Sequence, residues 1–112
     1  MNLEADDRES GVTWITLDGR LDIAGAGAID LKFSALTGSR RLVVVDLSRV
    51  TFLASMGMRL LLSGAKTVAS KGGRLVLHAP IPTVEQVLTT AGIDTVIPVL
   101  RDHDSAVAAV LG

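Results

Sequence analysis

The run Arg41–Leu47 (RLVVVDL) is almost continuously apolar and lacks the alternation expected of a strand with one wet face. A strand of this kind is buried on both faces, as in a parallel sheet covered by helices. It leads through a short loop into an amphipathic stretch, Ser55–Ser70, where Met58, Leu61, Leu62, Ala65, Val68 and Ala69 fall on one helical stripe and Lys71-Gly72-Gly73 ends the pattern. A second apolar strand, Arg74–Ala79, follows at once. Strand, helix and strand in this order imply a right-handed crossover and parallel pairing.

The remaining segments fit the same plan. Leu3–Glu9 and Val12–Asp18 form a hairpin around the turn residues Ser10-Gly11, and Val12, Trp14 and Thr16 alternate with Thr13, Ile15 and Leu17. Gly19-Arg20-Leu21-Asp22 breaks that alternation. A helix carried by Ile29, Phe33 and Leu36 comes next and stops before Gly38; Gly25 and Gly27 weaken its first turn. Thr83–Ala91 is a short helix with capping-box spacing between Thr83 and Gln86 and a stop at Gly92. Val96–Leu100 is a last short strand, and Asp102 or Asp104 caps a C-terminal helix that turns Ala106, Ala109 and Val110 inward. The expected order is β-β-α-β-α-β-α-β-α: one α/β domain over residues 1–112, an N-terminal hairpin followed by alternating units, with a mixed, mostly parallel sheet packed by helices.

Composition narrows the function. Of 112 residues 48% are hydrophobic and 21% charged, which supports a packed core and argues against disorder. Apolar runs fall well short of the roughly 18–20 residues that cross a bilayer. The acidic start MNLEADDRES has no signal-peptide pattern, and there is no cysteine for disulfide or thiolate chemistry. These features lead us to expect a cytoplasmic protein without membrane insertion. A formal net charge of −1, scattered cations and few aromatic residues speak against nucleic-acid binding.

Catalytic constellations are missing from the sequence. His78 and His103 are far apart and lack partners at metal-ligand spacing, so neither metal nor cofactor is expected. Ser55 has no neighbouring histidine or lysine to act as its base. Gly25-Ala26-Gly27-Ala28-Ile29-Asp30 imitates a dinucleotide fingerprint, but Asp30 replaces its third glycine and no suitable βαβ unit surrounds it. The chain reads as a non-enzyme. Asp22, directly after a strand, suits either a binding loop or a turn and helix cap. Ser55 starts the long helix, where a hydroxyl caps and a phosphate is electrostatically welcome. At 100° per residue, Met56 and Leu60 project away from the core stripe, in line with Ser63 and Thr67 and flanked by Arg59. That makes either a candidate protein-docking face or, equally in keeping with the residues alone, two ordinary surface apolar side chains with Leu60 covered by a neighbouring helix.

Taken in order, several fragments resemble one family across nearly the whole chain. They are Gly19-Arg20-Leu21-Asp22, Val43-Val44-Val45-Asp46-Leu47 with Val50-Thr51-Phe52-Leu53, Ser55-Met56-Gly57-Met58, Leu88-Thr89-Thr90-Ala91-Gly92-Ile93 with Ile97-Pro98-Val99, and Ala106 in the final helix. They resemble the STAS family, the domain of bacterial anti-sigma factor antagonists and of the sulfate-transporter C-terminus. The resemblance implies a switch in which an anti-sigma factor, itself a serine kinase, phosphorylates Ser55. The unmodified domain binds that kinase and frees a sigma factor; a serine phosphatase would reset it. It also implies a partner contact at Asp22; together with the helix face read above, the expected partner-binding set is Asp22, Met56, Gly57, Arg59 and Leu60. Ala54 stands where the family usually has aspartate, and Met56 where it often has a second serine. Rival expectations are a STAS subunit of a lipid-transport ABC complex or sensory complex, or a small-ligand or nucleotide module built on the Asp22–Gly27 loop.

Overall fold

The computed structural model describes residues 1–8 and 10–112. The elements are β1 (Asn2–Asp7), β2 (Val12–Leu21), α1 (Ile23–Ser39), β3 (Leu42–Leu53), α2 (Ser55–Ser70), β4 (Arg74–His78), α3 (Pro82–Thr90), a 3-10 turn (Ile93–Thr95), β5 (Val99–Leu100) and α4 (His103–Leu111). Their order is the expected one. The sheet runs β1-β2-β3-β4-β5, with β1 antiparallel to β2 and every other pairing parallel. Glu9, expected at the end of the first strand, lies outside the described residues.

Alternation in β3 divides the core in two. Val43, Val45 and Leu47 join Ile15, Leu17, Phe33, Leu61, Leu77 and Leu88 in the larger core beneath α1, α2 and α3. Val44 points the other way, with Val12, Trp14 and Val76, toward Ala106 and Val110 of α4. Over Val43–Val45 both faces of β3 are thus dry, as its apolar run requires.

Several elements differ from the expected boundaries. Strand β2 continues through Gly19-Arg20-Leu21 because its pairing with β3 shifts register between Thr16 and Asp18 and again between Gly19 and Arg20. Gly19 sits at φ +122°, which suits glycine, and the shifts let β3 run on to Leu53. Helix α1 starts at Ile23 and passes straight through Gly25 and Gly27. There is no Thr83–Gln86 capping box: Ile81 is the cap residue and Pro82 opens α3, where its missing N–H costs nothing. The final strand is reduced to Val99–Leu100, because Ile93–Thr95 is a helical turn.

Candidate functional site

The lengthened strands β2 and β3 end side by side, with Leu21 opposite Leu53, and the backbone N–H of Ala54 donates to the Leu21 carbonyl at 3.1 Å. Helices α1 and α2 therefore begin together at one end of the sheet and run alongside each other. Asp22 caps α1: its Oδ1 accepts from the Gly25 N–H at 2.8 Å, and its Oδ2 accepts from Arg20 Nε at 3.4 Å. The Gly25 N–H is the main reason the Asp22 carboxyl titrates below the usual aspartate range; burial opposes this and Arg20 reinforces it. The Asp22–Gly27 segment is thus a capped helix start, not the open loop expected for a small-ligand module.

Ser55 is the first helical residue of α2. The cap position belongs to Ala54, extended at φ −118° and ψ 177°, and no side chain among the described residues caps this helix. The expectation that Ser55 caps α2 is corrected, since its hydroxyl stands one residue too late. Instead the side chain is exposed. The N–H of Met58 donates to Ala54 O, so the N–H groups of Ser55, Met56 and Gly57 precede the first intrahelical bond.

Between the two helices lies a groove of about 370 Å³. Ile23, Ala26, Gly27 and Asp30 form one wall; Met56, Arg59, Leu60 and Ser63 form the other. The spacing is the same on both walls, as for two parallel helices that present one stripe each. Ile23 is 74% exposed and Met56 39%, leaving the rim apolar beside Ser55.

Two of the expected partner-facing residues are not on the surface. Leu60 is only 8% exposed and belongs to the main core. The helical projection located only the stripe facing the sheet, whereas α2 also packs sideways on α1. Gly64 marks that contact: a Cβ there would lie 2.5 Å from Phe33 Cε2. Leu60, one turn earlier, forms the groove's floor. Gly57 is also buried, and a Cβ there would meet Leu21 Cγ and O at 2.6 Å. Its lack of a side chain lets α2 seat on the strand ends. Asp22, Met56 and Arg59 remain at the accessible end or rim.

On the opposite face is a polar cluster that the sequence reading missed. Trp14 Nε1 donates to Asp46 Oδ2 at 3.3 Å, and the His78 ring meets the Trp14 ring edge-on at 4.9 Å between centroids. His103 stacks on Trp14 at 5.1 Å, and the Arg8 guanidinium lies 4.1 Å from its centroid. The two histidines, remote in sequence, share this one indole. His78 Nδ1 lies 3.4 Å from Asp46 Oδ1 but has no hydrogen-bonded partner among the described residues. Burial pushes the Asp46 carboxyl up, yet the Ser48 backbone and side chain and the Trp14 N–H outweigh it and hold the carboxyl below its ordinary value. The separate sequence positions gave no signal of this cluster, which is assembled by the β2–β3–β4 register and α4.

The chain as a whole is similar to known proteins. The family model described as "Mlab, STAS domain" matches residues 4–102. BtrV of Bordetella bronchiseptica, whose name assigns it provisionally to the anti-sigma factor antagonists, is 32% identical over 105 residues, covering 92% of this chain and 90% of its own. An anti-sigma F factor antagonist of Paenibacillus polymyxa is 25% identical over 109 residues, 95% of this chain and 93% of its own. Among solved structures, an anti-sigma factor antagonist from Mycobacterium paratuberculosis superposes with a TM-score of 0.89 at 25% identity, covering 99% and 94% of the two chains.

Proposed function

The chain belongs to the STAS domain family, and from that membership we propose that it is an anti-sigma factor antagonist switched by phosphorylation of Ser55. In this reading the partner is a cytoplasmic anti-sigma factor with serine kinase activity. The unmodified protein docks on it through the apolar rim of Ile23 and Met56, with Asp22 and Arg59 beside them. Docking releases the sigma factor. The kinase transfers the γ-phosphoryl group of ATP to Ser55 Oγ, with loss of the hydroxyl proton and release of ADP. Water, directed by a phosphatase, cleaves the phosphate ester, regenerating the hydroxyl and releasing inorganic phosphate. The chain itself supplies a surface and an acceptor, not catalysis.

The exposed Ser55 hydroxyl on the first turn of α2, next to the apolar rim, carries this reading. A dianion at a helix N-terminus is favourable to the fold, so phosphorylation changes the surface and leaves the core alone. Ala54 departs from the family's usual aspartate, so Ser55 lacks the neighbouring carboxylate that a kinase of the usual type meets.

The test is phosphopeptide mapping after incubation with the cognate kinase and ATP, together with binding isotherms. The phosphate is expected on Ser55. Ser55→Ala should bind the partner and resist modification, whereas Ser55→Asp should bind at least about tenfold more weakly, equivalent to ~1.4 kcal/mol. A phosphate found on another residue would refute the assignment.

A further inference from the structure

We propose that a phosphate on Ser55 is held by Arg59 of the same helix, so that modification withdraws a free cation from the docking face as well as adding a dianion. This rests on the reading of Ser55 as the modified residue. Ser55 and Arg59 are both exposed and four positions apart in α2. At that spacing side chains stand one turn apart on nearly the same face, and an anion N-terminal to a cation is the favoured order.

Arg59 is available for this role. It has neither an ion pair nor a hydrogen-bonded side-chain partner among the described residues. Asp30 borders the same groove from α1, yet its Oδ1 accepts from the Ser34 hydroxyl at 3.1 Å and it forms no ion pair with Arg59. Arg20, at the same end of the sheet, is already engaged: Nε pairs with Asp22 at 3.4 Å, and its guanidinium lies 4.3 Å from the Phe52 ring centroid. A phosphate presents acceptor oxygens that match the guanidinium fork. The helix already fixes both anchor points, so only one side chain has to be ordered.

The pair converts the charge at these two positions from +1 to about −1, and it does so by consuming the cation. An acidic group on the partner that used Arg59 would lose its counter-ion even if it never approached the phosphate.

The experiment uses the full chain with phosphoserine installed at position 55 during translation, in native, Arg59→Lys and Arg59→Gln backgrounds. The second ionisation of the phosphate is followed by phosphorus NMR. A cation beside the phosphate favours the dianion, so the native chain should titrate about 0.3 pH unit or more below Arg59→Gln. Arg59→Lys should keep part of that gap, and 1 M salt should shrink it, because the pair is exposed. Coincident titrations of the native and Arg59→Gln chains would overturn the proposal. No partner is present in this measurement, so its failure leaves the switch standing; the switch itself falls if modified and unmodified chains bind the anti-sigma factor equally.

Discussion

Two aspartates with depressed titration show how differently one side chain serves this fold. Asp22, its side chain 33% exposed, holds the first turn of α1, while Asp46, 15% exposed, is set more deeply beneath Trp14 and His78. For Asp46, a folded-state value below the unfolded one means stability that is fully present above the unfolded value of about 3.9 and is lost as pH falls through the folded value. Asp46→Asn should therefore cost about 1 kcal/mol at pH 7 and a smaller amount at pH 3, below the unfolded value. Urea melts at both pH values check this; parallel losses would show that the charge is irrelevant. Neither the role of Asp46 nor the meeting of His78 and His103 was legible in the sequence, because both depend on which strands lie side by side. The cap at Asp22 was one of two open readings, and its 2.8 Å bond to Gly25 supports the structural one. Ser55 was placed correctly at the helix start, whereas its supposed capping role was wrong by a single position.

At the scale of elements, periodicity was a good guide where one face of a helix met one surface. The bounds Ser55–Ser70 follow directly from it. It failed where a helix had two neighbours: α2 turns Leu61 and Val68 to the sheet and Leu60 and Gly64 to α1, which a single stripe could not express. This overturns the placement of Leu60 on the docking face. Leu60→Glu should not be a clean surface change; it places a carboxylate in the α1–α2 contact and should cost more than ~2 kcal/mol. Met56→Glu, on the exposed rim, should stay within ~0.5 kcal/mol of the native chain yet weaken partner association. Denaturant melts beside binding isotherms separate the two effects, and equal stabilities would show that α1 does not seal this flank. Strand ends were the other weak point. The apparent break at Gly19 is a register shift inside a longer strand, and that extra length carries Asp22 and Ser55 to the same end of the molecule.

Over the whole molecule, the order of elements and the mostly parallel sheet were legible because each strand–helix alternation permits few topologies. Less legible was the division of labour between faces. The groove beside Ser55 belongs to the α1–α2 side, while α4 closes the other side over Val12, Trp14, Val44 and Val76. Trp14 is the chain's single tryptophan, and there is no tyrosine. All of its indole emission therefore arises on the side away from the proposed docking groove, from a ring that is 6% exposed. Unfolding or release of α4 should red-shift that emission as water reaches the ring. Binding a tryptophan-free partner fragment, or adding a phosphate at Ser55, should leave the emission maximum where it is. A shift on binding would mean that the two faces communicate through the sheet; a silent titration with an intact unfolding signal would mean that the molecule carries a fluorophore that reports its integrity and is blind to its signalling state.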